Sequence, residues 1–209
     1  MNSPLDNYLI QMSSEESPLL SQIYRNTHLT TIYPRQLSGP VQGKFLEMIS
    51  LMLRPQRILE VGTFTAYSTL CLLKGLDPKG VLLTIEADEE LESTIRRHLR
   101  MAGEENRVQL IIGKALEVLP TLDGSFDLIF LDADKVNYPA YYPLLRNKLQ
   151  QGGFLLVDNV LWNGKVIDPT QNDAETRAIR DFSRIVAEDT LVSQVILPLR
   201  DGLSIIRKE

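Results

Sequence analysis

After residue 55 the chain alternates between short, almost wholly apolar runs and helix-like segments. The runs are 57–61 (RILEV), 81–85 (VLLTI), 108–112 (VQLII), 128–131 (LIFL) and 154–157 (FLLV). Runs this short and this rich in Val, Ile, Leu and Phe suit strands buried on both faces, as in a parallel sheet covered by helices. Between them, ADEELESTIRRHLRMAG carries Leu91, Ile95, Leu99 and Ala102 at helical spacing. Asp88, Glu89, Glu90 and Glu92 crowd its start, Arg96, Arg97 and Arg100 its end, and Gly103 stops it, which complements the helix dipole. A second helix is expected from near Pro139 to before Gly152, and a third from Asn172–Asp173 to about Ala187, with Asn172 and Glu175 at capping-box spacing. The tail breaks the pattern. LVSQVILPL and LSIIRK flank Arg200-Asp201-Gly202, a hairpin signal that predicts an antiparallel finish to the sheet.

Residues 1–55 read as helices, with Val41, Phe45, Ile49 and Leu53 on one face of VQGKFLEMISLML. One domain of 209 residues is therefore expected, with 1–55 a helical N-terminal extension and 56–209 the α/β core. A hydrophobic fraction of 44% and a charged fraction of 23% are those of a globular protein in water, and no apolar run approaches a membrane span. The start lacks a basic then apolar signal pattern, and the single Cys71 lies in an apolar string. Both favour the cytoplasm, with Cys71 a core thiol. The net charge of −5 argues against a broad nucleic-acid surface.

Four of the runs end in an acid: Glu60, Glu86, Asp132 and Asp158. Right-handed crossovers bring parallel strand ends to one edge, where open α/β sheets bind ligands. In EVGTFTAYS, Gly62 permits a tight turn and close approach of backbone to a ligand. A dinucleotide fingerprint would need three glycines, and only one is present. A small carboxylate suits the turn better than a diphosphate, with Ser68 as a hydroxyl donor and Glu86 placed for ribose hydroxyls. An adenosine with an amino-acid tail, S-adenosylmethionine, meets these conditions. After Gly113, the small Ala115 either faces an adenine ring with its backbone or belongs to an ordinary strand-to-helix turn.

FLDADK (130–135) places two carboxylates and an ammonium at a strand end. Asp132 with Asp158 and Asn159 makes an all-oxygen donor set that suits Mg²⁺, with Ca²⁺ or Mn²⁺ as alternatives. Zinc would recruit His or Cys, and the two His and one Cys lie elsewhere. His28 and His98 read as surface or interhelical residues. A phenol has a pKa of about 10, so its methylation at neutral pH needs help. Lys135 can take its proton or stabilise the phenolate. Asp134 can hold that lysine or cap the next helix.

Taken together, ILEVGTFTAYSTL, LLTIEADEEL, FDLIFLDADKVNYPAYY, GGFLLVDNVLWNGKV and LPLRDGLSIIRK resemble the small cation-dependent class I O-methyltransferases, the caffeoyl-CoA and catechol group. That resemblance implies a Rossmann-like, seven-stranded sheet of order 3-2-1-4-5-7-6 with strand 7 antiparallel. It implies a metal at Asp132, Asp158 and Asn159 and a base at Lys135, with Asp132 counted also among the catalytic and cofactor-binding residues. Glu60, Gly62 and Ser68 fall at the methionine-tail site, Glu86 at the ribose, Ala115 at the adenine, and Asn163 and Trp162 on the substrate side. It also implies a catechol-type acceptor and a homodimer. Bacterial relatives that methylate hydroxylated tRNA bases make RNA the alternative partner, with Arg25, Arg35, Lys44 and Arg54 as a phosphate-binding patch. Two positions depart from the pattern. Ala66 stands where glycine is usual before Tyr67-Ser68, and Arg200 stands where glycine is common in the tail.

Overall fold

Each apolar run folds as a strand, and the segments between them fold as helices. The structure is a computed structural model that describes residues 4–209; residues 1–3 of the expected N-terminal extension lie outside the described residues. Helices α1 (Pro4–Met12), α2 (Pro18–Thr30) and α3 (Gly39–Leu53) come first. The core then alternates through β1 (Arg57–Val61), α4 (Tyr67–Leu72), β2 (Val81–Glu86), α5 (Glu92–Ala102), β3 (Val108–Ile112), α6 (Ala115–Val118), β4 (Phe126–Leu131), α7 (Tyr138–Lys148) and β5 (Leu149–Asp158). It finishes with α8 (Ala174–Glu188), β6 (Val192–Leu197) and β7 (Leu203–Lys208). The sheet order is β3-β2-β1-β4-β5-β7-β6, with β1 to β5 parallel and β7 antiparallel to both its neighbours.

Alternation along the strands feeds two cores, as expected for a sheet covered on both faces. Leu59, Val61, Ile129, Leu131, Leu155 and Val157 pack with Tyr138, Tyr142 and Phe182. Ile58, Leu82, Leu128, Phe130 and Leu156 face the other way, onto Ile23, Leu46, Leu72 and Ile95. Cys71 belongs to that second core as a free thiol, and burial pushes its pKa up.

Local details depart from expectation in three places. In α3 the buried residues are Gln42, Gly43, Leu46 and Ser50, one step round from the predicted stripe. The cause is close approach to α4: a Cβ on Gly43 would lie 2.7 Å from the Tyr67 ring, and Ser50 Oγ donates to the Leu72 carbonyl at 2.5 Å. Helix α8 is capped by Asp173, which accepts from Thr176 N at 3.0 Å, and not by Asn172. Strands β6 and β7 are joined by a loop, 198–202, longer than a tight Asp-Gly turn. That loop is drawn onto the segment after β5, where Val160 N and Leu161 N donate to the Gly202 and Asp201 carbonyls. No helix among the described residues is long and apolar enough to cross a membrane.

Candidate active site

From β1 the chain winds outward through β2 and β3, then returns to lay β4 against β1's free side. A crevice opens at such a reversal, beyond the carboxyl ends of the strands. Gly62 sits there at φ 97°, and an added Cβ would fall 1.9 Å from the Asp132 carbonyl oxygen. The glycine is thus demanded first by the close approach of β4, before any ligand. A cleft of about 1450 Å³ runs over these strand ends. Gly62, Ser68, Glu86 and Ala115 line one end, and Asp132, Lys135, Asp158, Asn159, Trp162 and Asn163 line the other.

At the first end, the turn after β1 is tied down by Glu86. Its Oε2 accepts from the amides of Thr63 (3.1 Å) and Phe64 (2.7 Å), and its Oε1 from Asp88 N (2.9 Å). Ala66 sits at φ 65°, so the turn does require the left-handed conformation, which alanine adopts only with strain. Glu60 departs from its expected position on the cleft wall. It is fully buried behind that wall, where Ser68 Oγ donates to Oε1 (2.7 Å) and Thr69 and Thr84 donate to Oε2 (2.5 and 2.7 Å). Burial pushes its carboxyl up to about 7; the three hydroxyls pull it down and Asp132 adds to the rise. Ser68 is the link between this buried acid and the cleft. His98 is buried too, contrary to a surface reading, with Nδ1 2.9 Å from the Thr65 carbonyl of the same turn.

At the other end, a short 3₁₀ turn at Lys135–Asn137 rotates the lysine inward and leaves Asp134 outside. Lys135 Nζ donates to Asp132 Oδ1 at 2.8 Å and to Tyr138 Oη at 2.7 Å, while Tyr138 donates to the Asp158 carbonyl at 3.1 Å. Burial alone would lower the Lys135 pKa, but the Asp132 carboxylate and Tyr138 outweigh it and the net shift is upward. In this arrangement Lys135 is a charged donor. Asp134 neither holds the lysine nor caps the helix; it accepts from Tyr141 Oη and Asn137 Nδ2, each at 2.5 Å.

Asp158 is buried, with Oδ1 accepting from Asn159 N (2.8 Å) and Oδ2 from Gln42 Nε2 (2.7 Å). Burial, then the charge of Asp132, pushes its carboxyl up to about 6, against the pull of Gln42, Lys135 and Arg200. Two carboxylates that repel each other, Asp132 and Asp158, line the cleft with Asn159, which stands at φ 60°; these are oxygen donors of the kind that could hold a hard divalent cation. Among the described residues, no cluster of three or more His, Cys, Asp or Glu side chains is arranged for a metal, so the set depends on the Asn159 amide. Trp162 and Asn163 also have positive φ, and Asn163 N donates to Asp201 Oδ1. Sequence patterns missed Gln42 and Tyr138. A polar residue beside the apolar stripe of α3 was the one available signal for Gln42.

Comparison with known proteins agrees with this geometry. A model of the O-methyltransferase family matches residues 10–209. The catechol O-methyltransferase of Niastella koreensis is 34% identical over 77% of this chain and 75% of its own length. That of Mycobacterium tuberculosis is 36% identical over 74% and 70%. The O-methyltransferase from Bacillus cereus, solved in complex with SAH, superposes with a TM-score of 0.91 at 30% identity, covering 99% of this chain and 98% of that one. The protein belongs to the O-methyltransferase family.

Proposed function

We propose that this chain transfers a methyl group from S-adenosylmethionine to one hydroxyl of a catechol-type small molecule, with a divalent cation, Mg²⁺ foremost, at Asp132, Asp158 and Asn159. The observation that carries this reading is a single cleft with the Gly62–Glu86–Ala115 end joined to the Asp132–Lys135–Asp158 end. The SAH-bound Bacillus cereus enzyme supports the donor, and the names of the Niastella and Mycobacterium relatives support the acceptor.

At the donor end, Glu86 is held by three backbone amides, two on Oε2 and one on Oε1, which leaves one lone pair on Oε1 free for a ribose hydroxyl. Ser68, backed by Glu60, faces the amino-acid tail, and the small Ala115 leaves room for a flat base against backbone. S-adenosylmethionine, when bound, supplies an electrophilic methyl on a sulfonium. A cation on the all-oxygen set would lower the pKa of an acceptor hydroxyl. Lys135 holds positive charge beside that hydroxyl, where it stabilises phenolate as it forms; its raised pKa favours this electrostatic role over that of a vacant base. Trp162 and Asn163 border the same space and would contact the ring. Orienting acceptor and methyl donor in one cleft can supply several kcal/mol of the barrier reduction.

Methyl transfer from labelled S-adenosylmethionine to caffeic acid is the test, run with Mg²⁺ and with EDTA. Turnover only with Mg²⁺, and donor binding retained in EDTA, is expected; equal turnover in EDTA would remove the cation from the reading. No transfer by protein that binds the donor would turn the acceptor toward hydroxylated tRNA, although Lys44 of the basic patch is already paired with Glu47 at 3.0 Å. The reading includes a homodimer. Exposed Tyr8 and Met12 on α1 and Met48 and Met52 on α3 support a covered face, and sedimentation at twice the chain mass is the expected result.

A further inference from the structure

Arg200 stands at φ 50° in the β6–β7 loop, a backbone setting that glycine adopts freely and arginine does not. Its side chain turns back across the cleft. Nη1 donates to the Ser38 carbonyl at 2.5 Å and to Gln42 Oε1 at 3.1 Å, and Nη2 reaches the Arg35 carbonyl at 3.5 Å. All three acceptors belong to the N-terminal segment, Ser38 being 162 positions away in sequence. Residues 30–38 of that segment line the cleft.

Gln42 is fully buried, and its Nε2 donates to Asp158 Oδ2 at 2.7 Å. A carboxamide has one accepting and one donating end, a guanidinium only donates, and a carboxylate only accepts. With Arg200 on its oxygen, Gln42 must present its NH₂ group to Asp158. The flipped amide would set NH₂ against guanidinium and oxygen against carboxylate. Arg200 therefore determines, through Gln42, what Asp158 meets.

We propose that Arg200 is a positioning residue for the acceptor half of the site: it latches residues 35–38 over the cleft and, through Gln42, orients the Asp158 carboxylate. This rests on the O-methyl-transfer reading above, in which Asp158 handles a cation. The N-terminal segment is tied independently to the donor end, where Tyr67 Oη donates to Glu16 Oε2 at 2.5 Å and Thr27 Oγ1 lies 3.0 Å from Thr65 Oγ1. Loss of Arg200 thus loosens the acceptor end while the donor end stays fastened. A residue that served only global stability would weaken both.

The test compares wild type, Arg200→Gly and Arg200→Lys. Glycine removes the side chain at a φ that suits it, and lysine keeps the charge without the planar fork that reaches all three acceptors. For Arg200→Gly the acceptor KM for caffeic acid should rise about tenfold, from loss of charged hydrogen bonds. Its Mn²⁺ affinity, read by electron paramagnetic resonance without acceptor or donor, should fall about tenfold, as for other residues that orient a ligand. Amide exchange at Gln36 and Leu37, whose bonds to Tyr33 and Pro34 close the latched turn, should quicken. Affinity for S-adenosylhomocysteine should stay within about twofold, and Arg200→Lys should fall between the other two. Unchanged caffeic acid KM, Mn²⁺ affinity and amide exchange in Arg200→Gly overturn the proposal, and so does an equal loss of S-adenosylhomocysteine binding. Wild type that takes up no Mn²⁺ overturns the underlying reading and the Asp158 half with it, while exchange at Gln36 and Leu37 still decides the latch.

Discussion

Lys135 has two oxygen partners, Asp132 and Tyr138, which hold it at the place where the proposed reaction would form a phenolate. Lys135→Ala should lower the methyl-transfer rate by about 10²–10⁴, with donor binding unchanged by calorimetry; a near-normal rate would reduce it to a structural cation. Gly62→Ala meets the Asp132 carbonyl at 1.9 Å, so it should displace the end of β4 and cost donor binding and melting temperature together. Both positions were legible as residues. What Asp134 does was not, because a 3₁₀ turn decides which of two adjacent charged side chains faces in. The inward member is the lysine, and the acid serves Tyr141 and Asn137 at the rim. Glu60 teaches the same lesson. Its place at a strand end was readable, but three hydroxyls from α4 and β2 draw it behind the cleft wall.

Helices α3 and α8 show what periodicity conveys at the scale of elements. Both were visible in sequence, yet α3 turns Gln42, Gly43, Leu46 and Ser50 inward, with Gly43 where α4 approaches too closely for a side chain. It ends at Arg54, exposed and in the left-handed conformation at φ 49°, where glycine is the unstrained residue. Arg54→Gly should therefore stabilise the protein by roughly 1 kcal/mol, read as a higher urea midpoint at unchanged slope. In α8 the cap is Asp173, bonded to both the amide and the hydroxyl of Thr176. Asp173→Ala should cost about 1 kcal/mol, whereas Asn172→Ala should cost little. Asn and Asp are both good caps, so sequence alone could not choose between neighbours.

For the whole molecule, buried acids tie stability to pH. The Glu60 carboxyl rises from an ordinary 4.5 to about 7, so the folded state binds its proton more tightly than the unfolded chain. Its contribution is fully present below about pH 4.5 and is lost as pH rises through 7. Asp158, pushed up to about 6, acts in the same sense over a lower window, and His98, pushed down by burial, acts in the opposite sense below its ordinary 6.5. Urea unfolding in EDTA should thus show wild type losing stability between pH 5 and 8, by about 3 kcal/mol at most from Glu60. Glu60→Gln should flatten that slope; an equal slope in the variant would assign the loss elsewhere. The sequence by itself determined the alternation of elements, the parallel sheet with its antiparallel finish, and the gathering of Asp132, Asp158 and Glu86 at one edge. These follow from short-range periodicity, turn residues and crossover handedness, all written locally in the chain. Only the tertiary structure decided that Glu60 faces away from the cleft, that Gln42 meets Asp158, and that Arg200 reaches the N-terminal segment. Those contacts join residues from 8 to 162 positions apart, and they depend on how side chains turn once the packed elements meet, which no local pattern records.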